Sequence, residues 1–176
     1  MRDEMSRRHL WKDTIFAGFY ISPILGDLLA MRPDVNNEPS SSTTMLEAFR
    51  LAAVLYLADL RSKFGIDTLS VGPLYASKLH SLLSSSSIYD WEEQPALLIW
   101  ILAIAFTSRS LRPEQRALFT EMFNNALMAR GISKFEDLKA LLTEIVWDEE
   151  ILDFQSLDLK SFVSRMATAT YATSQD

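Results

Sequence analysis

The feature that most constrains this chain is an apolar block at residues 95–106, with the sequence PALLIWILAIAF. A segment that is apolar on every side has to be covered on every side when the chain folds in water. As a helix, at about 1.5 Å per residue, it reaches only about half of the hydrocarbon thickness of a bilayer. The block therefore predicts a buried central helix, at about residues 94–107, in an all-α multi-helix globule.

Prolines, glycines and serines predict where several neighbouring helices begin and end. Ser22 followed by Pro23 is typical of an N-cap and a first-turn proline, and Pro73 and Pro113 indicate two further helix starts. Gly131 is placed to end the helix that Pro113 opens. The serine run at residues 84–87 is expected to break its helix, because these side chains compete for their own backbone groups.

Three polar segments predict capped helix starts. Thr44 with Glu47, and Ser133 with the glutamate three residues later, match capping boxes, in which two side chains satisfy orphan backbone N–H groups. The acidic segment at residues 90–93 is expected to cap the central helix. Further amphipathic patterns predict a first helix at residues 6–19 and a final one around residues 159–166. No segment alternates with the two-residue period of a strand.

The length of 176 residues and the apolar content of 48% fit one domain spanning residues 1–176 with a real hydrophobic core. The only long Pro/Ser-rich polar stretch, residues 32–43, predicts a mobile loop within that domain. The polar tail at residues 170–176 is expected to fray.

Charge and composition exclude several kinds of function. A net charge of −6 argues against direct nucleic-acid binding, and the lack of cysteine removes disulfides, zinc-thiolate sites and cysteine nucleophiles. No phosphate-binding glycine loop and no metal-ligand motif is present, so we expect no cofactor and no metal. Without a secretory segment or membrane span, the expected location is intracellular, nuclear or cytoplasmic.

Two charged residues, Arg50 and Asp59, interrupt a helix that is otherwise mostly apolar. A charge in such a place needs a partner or a ligand. Glu47 lies three residues before Arg50, and Lys63 lies four residues after Asp59, so each charge has a partner within one helical turn. This spacing favours structural ion pairs over a binding role for both residues.

Other residues are candidates for a ligand site, each with a more ordinary explanation. Tyr56, Trp91, Trp100 and Trp147 could line a cavity, but aromatic side chains at helical spacing are more often core. Of the two histidines, His9 is expected to be solvated, whereas His80 could border a pocket and act as a base, although a structural role is favoured. A carboxylate group comprising Glu149, Glu150 and Asp153 could hold a divalent cation, but such a run is usually a solvated edge.

Four segments, in order, resemble the regulatory, ligand-responsive region of fungal-specific transcription factors. EAFRLAAVLYL at residues 47–57 is similar to that family's E-x-x-R-L-A-A-L-I-Y-L helix, and residues 94–105 resemble its P-x-L-L-L-W helix. Residues 119–127 resemble its W-F-x-x-x-L segment, and residues 137–147 its closing helix that ends in tryptophan. The resemblance covers residues 45–151 and places both Trp100 and Trp147.

The resemblance implies an α-helical regulatory module that lacks the family's cysteine-based, DNA-reading zinc cluster. Such a module acts by binding a protein partner or a small hydrophobic ligand, and no catalytic residue comes with it. Arg50, Tyr56, Trp100 and Trp147 are the candidate ligand-binding residues. The resemblance also implies a fungal regulator.

An enzyme is the alternative hypothesis. A small helical shell rich in aromatic side chains can hold a hydrophobic substrate of secondary metabolism and direct a cyclisation or an isomerisation. The candidate catalytic residues are then Arg50, Tyr56, Asp59 and His80. Because no recognisable catalytic constellation is present, the sequence favours a non-enzymatic protein. A structural homodimer that hides an apolar helix face is a third hypothesis.

Overall fold

A computed structural model describes residues 21–31, 41–63, 72–86, 91–149 and 152–173 of the chain. Seven α-helices and no strand occur in these ranges, which confirms the all-α prediction for the described part. The predicted helix at residues 6–19, with His9, lies outside the described residues, as do residues 32–40 of the predicted loop.

The chain divides into two compact units, residues 1–86 and residues 87–176. The first unit contains α1 (Ser22–Ala30), α2 (Ser41–Lys63) and α3 (Gly72–Ser85). The described part of the second unit contains four helices, and the organisation of residues 1–176 as one domain stays a prediction. These four are α4 (Pro95–Thr107), α5 (Pro113–Ala129), α6 (Phe135–Ile145) and α7 (Asp153–Thr173).

In the first unit, α2 packs against both α1 and α3. Its core-forming side chains run along most of its length, as the sequence predicted for a helix with apolar residues on more than one side. Leu46 is the exception, with 69% of its surface exposed near the start of the helix. The buried apolar residues of α2 are Ala48, Leu51, Ala52, Val54, Leu55, Ala58 and Leu60.

In the second unit, α5, α6 and α7 all pack against α4. Every residue of α4 from Leu98 to Thr107 is buried, which confirms the prediction of a covered central helix. The hydroxyl of Thr107, the last of these residues, donates to the Ala103 carbonyl at 2.8 Å, so the polar end of the helix is satisfied internally. The apolar block thus forms the core of this unit.

The start of α2 differs from the sequence prediction. The helix begins at Ser41, so residues 41–43 of the predicted loop are helical, and Thr44 lies inside the helix rather than at its cap. The carboxylate of Glu47 is bound to the guanidinium of Arg50 instead of closing a capping box. Serine and threonine are well tolerated in a first turn, where backbone N–H groups are otherwise orphaned, so the helix extends into this segment.

Three other predicted caps are also wrong in position. The N-cap of α1 is Ile21 instead of Ser22, and Pro23 lies in the first turn. The N-cap of α4 is Gln94, one residue after the acidic segment at residues 90–93. The N-cap of α6 is Lys134, one residue after Ser133. None of the three helices has a hydrogen bond from a capping side chain. In α4 a proline at the first position has no N–H group to satisfy, which lowers the need for a cap.

The predicted helix ends agree better with the structure. After α5, Gly131 adopts a φ of 66°. Its N–H donates to the Met128 carbonyl at 3.0 Å, and the Ile132 N–H donates to Leu127 at 3.0 Å. This pair of bonds is a Schellman motif, in which glycine takes the left-handed position.

The end of α7 differs from the prediction of fraying from residue 170. The helix continues to Thr173, because no glycine or proline stops it at residue 170.

The serine run ends α3 as predicted and for the predicted reason. The helix stops at Ser85. The hydroxyl of Ser84 donates to the carbonyl of His80 at 2.7 Å, and that of Ser85 donates to Leu82 at 2.9 Å. The side chains therefore compete for the backbone acceptors of their own helix.

Two glycines predict opposite effects of the same substitution. Gly131→Ala should lower the free energy of unfolding by about 1–2 kcal/mol, because only the left-handed backbone opposes a Cβ there. Gly26→Ala, in the exposed interior of α1, should raise it by about 0.5–1 kcal/mol, since the new Cβ meets nothing within 4 Å. Urea unfolding of the two variants checks both signs, and equal shifts would contradict the assignment of the Gly131 turn.

Candidate functional site

The predicted ion pair between Glu47 and Arg50 is confirmed. The Nε atom of Arg50 donates to one carboxylate oxygen of Glu47 at 2.7 Å, and Nη2 donates to the other at 2.7 Å. This side-on, two-bond geometry is the strong form of a guanidinium–carboxylate contact. Only 10% of the arginine side chain and 18% of the glutamate side chain are exposed, so the pair is largely desolvated.

Arg50 also joins α2 to its neighbours. Its Nη1 atom donates at 2.8 Å to the carbonyl of Leu28, in the last turn of α1, where carbonyls lack helical partners. The ring of Tyr75, on α3, lies 6.0 Å from the guanidinium carbon. The hydrogen bonds that Arg50 donates to Glu47 are the main reason that the pKa of Arg50 is raised, against the opposing effect of burial. These contacts favour the structural role that the sequence assigned to Arg50.

The other three candidate catalytic residues also lie in the first unit. Asp59 is buried, whereas Tyr56 and His80 are half-buried, and each of the three takes part in an interaction with another residue. Nine residues at about 100° each place Arg50 and Asp59 on opposite sides of α2. The predicted pairing of Asp59 with Lys63 stays a prediction, because the side chain of Lys63 lies outside the described part. A catalytic role for the four residues likewise stays a prediction.

The two tryptophans proposed for ligand binding lie in the second unit, whereas Arg50 and Tyr56 lie in the first. Trp100 is 1% exposed, and its indole N–H donates to the Val146 carbonyl at 2.7 Å, which ties α4 to the end of α6. Trp147 is also buried, and its indole N–H has no hydrogen-bond partner among the described residues. Both side chains occupy the core of their unit, as the more ordinary explanation predicted.

The acidic segment after α6 contains an ion pair. A carboxylate oxygen of Glu149 contacts the Nζ atom of Lys139 on α6, and this hydrogen bond raises the pKa of the lysine. Both side chains remain well exposed. Glu150 and the side chain of Asp153 lie outside the described residues, and the described part contains no cluster of three potential metal-ligating side chains.

The second unit has a groove between α5 and α7, which we call the α5–α7 groove. Its volume is about 800 Å³. One wall consists of α5 residues at four-residue spacing, namely Arg116, Thr120, Asn124 and Met128. The other wall consists of one face of α7, namely Asp158, Ser161, Phe162, Arg165 and Met166. Both helices pack on α4, and the groove is the space left between them.

The base of the groove is aromatic and well supported. The ring centroids of Phe106 and Phe162, which line it, are 4.9 Å apart. The ring of Phe123 packs beside both, at 5.7 Å from Phe106 and 5.4 Å from Phe162. Contacts at these distances are favourable aromatic pairs, and the buried cluster holds the three helices together.

The α5 wall is anchored to the end of α4. The guanidinium of Arg116 donates to the Phe106 carbonyl at 2.7 Å and to the Ser108 carbonyl at 3.2 Å. A cation at this place satisfies carbonyls that lack helical partners and complements the helix dipole. The groove therefore has a fixed wall at this end, whereas Met128 at the other end is 58% exposed.

Sequence reasoning did not predict the groove, because its base residues have the spacing of ordinary core side chains. The sequence does contain one indication of the groove, which is the pair of methionines Met128 and Met166. Each lies near the end of the apolar pattern of its helix, α5 or α7. Flexible methionine side chains are common at surfaces that bind other molecules. None of the candidate ligand-binding or catalytic residues proposed from the sequence lines this groove.

Comparisons of the chain with models of protein families, with curated proteins and with solved structures give no match. Among the helices that the structure describes, none combines the length and the apolarity needed to cross a bilayer.

Proposed function

We propose that this chain is a non-enzymatic regulatory module that binds a protein partner, related to the regulatory region of fungal-specific transcription factors and without its own DNA-reading domain. The α5–α7 groove is the observation that carries the proposal. It is an open, aromatic-based surface walled by two helices, and it lies apart from the buried tryptophans.

The shape of the groove suits a protein segment better than a small molecule. Its α5 wall runs from Arg116 to Met128, which corresponds to about 18 Å at 1.5 Å per residue. Apolar side chains at the base are combined with polar and charged side chains along the walls. A groove of this kind takes the apolar face of an amphipathic helix while the polar rim fixes its position.

The relation to the transcription-factor family rests on the sequence pattern, and two observations support it. The helix that carries Trp100 and the helix that precedes Trp147 pack against each other. The indole of Trp100 is hydrogen-bonded to the residue next to Trp147. The two segments with the family's tryptophans thus form one packed core, as expected of a helical regulatory module.

The test is a reporter assay in a fungal strain, with the full chain fused to an unrelated DNA-binding domain. We expect the fusion to change transcription relative to that domain alone. The variant Met128→Glu, which places a charge at the exposed end of the groove, should return the reporter to the level of the domain alone. Burying an unpaired charge against a partner's apolar face costs several kcal/mol of binding.

The matched control is Ala129→Glu, which adds the same charge one residue later, where the side chain is exposed and does not line the groove. This variant should behave as the unaltered fusion. A reporter unaffected by the chain, or equal effects of the two variants, would overturn the proposal. So would sequence-selective DNA binding by the purified chain in a gel-shift assay.

A further inference from the structure

We propose that the partner bound in the α5–α7 groove is a second copy of this chain, with the two α7 helices packed antiparallel around a two-fold axis. The inference depends on the proposed function, because it takes the groove to be a binding surface. It specifies which helix enters the groove, and in which direction.

Two opposite charges on α7 have no partners within the described part of the chain. Asp158 and Arg165 are both exposed and both line the groove, and no ion pair joins either to another described residue. They are seven residues apart, so they lie on the same face of the helix, separated by about 10 Å along its axis.

This arrangement is complementary to itself. If the two-fold axis passes between Ser161 and Phe162, an antiparallel second α7 places the partner's Arg165 opposite Asp158 and the partner's Asp158 opposite Arg165. A two-fold interface repeats every contact, so one pair of residues provides two ion pairs. The small side chain of Ser161, next to the axis, allows the helices to approach closely.

The same register covers exposed apolar surface. Leu157, which is 63% exposed, lies one turn before Ser161, at the edge of this interface. Phe154, one turn before Leu157, is 57% exposed, and the guanidinium of Arg109 lies 5.8 Å from the centre of its ring. The outer face of α7 thus combines exposed apolar side chains with two opposite charges, which is the composition of an interface.

Analytical ultracentrifugation of the full chain tests the proposal. The unaltered protein should sediment as a dimer that dissociates on dilution. Asp158→Arg or Arg165→Asp alone should raise the dimer dissociation constant at least about tenfold, because each creates two like-charge contacts. The double variant Asp158→Arg, Arg165→Asp should restore the dimer, since the exchanged charges again face each other.

The control is Lys160→Glu, a charge reversal on an exposed residue of α7 that does not line the groove, and it should leave the dimer intact. Circular dichroism shows whether each variant is folded. A monomer at every concentration would overturn the proposal, as would a double variant that dissociates as readily as the single ones. If the protein is a monomer and its reporter activity still depends on Met128, the dimer is rejected and the proposed function stands with a different partner. If the protein is a dimer without reporter activity, the proposed function is rejected and the dimer stands.

Discussion

Replacing Trp100 by alanine is expected to lower the free energy of unfolding by about 3–5 kcal/mol, the cost of emptying a large, fully buried aromatic site. The side chain is 1% exposed in the middle of α4 and also supplies a hydrogen bond of 2.7 Å to the Val146 carbonyl. Urea unfolding followed by far-ultraviolet circular dichroism measures the loss. Since many domains are stable by only about 5–15 kcal/mol, this variant should be close to unfolding at room temperature.

The matched variant Trp100→Phe separates packing from hydrogen bonding. Phenylalanine retains most of the apolar volume but cannot donate to the Val146 carbonyl, so we expect a smaller loss of about 1–2 kcal/mol. If Trp100→Ala cost no more than Trp100→Phe, the tryptophan would not be filling the core of the second unit, and the packing described around α4 would be wrong.

Removing the carboxylate in Glu47→Ala is expected to destabilise the first unit by about 2–4 kcal/mol. The guanidinium of Arg50 would keep its bond to the Leu28 carbonyl but lose both bonds to Glu47, while its side chain remains only 10% exposed. An incompletely paired charge of this kind costs more than the pair itself contributes. Thermal and urea unfolding of the single variant give the measurement.

The double variant Glu47→Ala, Arg50→Leu provides the control, because it removes the charge along with its partner. We expect it to be more stable than Glu47→Ala, which gives the pair a positive coupling in a double-mutant cycle. Additive losses in the cycle would contradict a direct pair. Because the pKa of Arg50 is raised, its charged form persists to higher pH than in the unfolded chain, so raising the pH through the ordinary working range should not break the pair.

The central helix could be predicted from residues 95–106 alone, because the need to bury this segment does not depend on how the rest of the chain folds. A segment that is apolar on all sides has to be buried in water. The end of α5 was predictable because Gly131 can adopt the left-handed conformation in which many helices end. The Glu47–Arg50 pair was also predictable, since both partners lie on one turn of one helix.

The capping boxes failed because their side chains had alternatives that a local pattern does not include. Glu47 binds Arg50 in place of the backbone of Thr44, and α6 begins after Lys134 without any side-chain cap. The groove was not predictable for a related reason. Phe106 and Phe162 have the spacing of core residues, and only the positions of α5 and α7 on α4 determine that one edge of this core is open.

The central claim is that α4 is the buried core of its unit and that binding takes place at the surface around it. Hydrogen–deuterium exchange of α4, measured by mass spectrometry, tests the burial of this helix most directly. We predict that the amides of residues 98–107 exchange more slowly than those of the exposed turns, and only when the second unit unfolds as a whole. Exchange as fast as that of residues 130–134 would show that the helix is open to solvent, and would contradict the account.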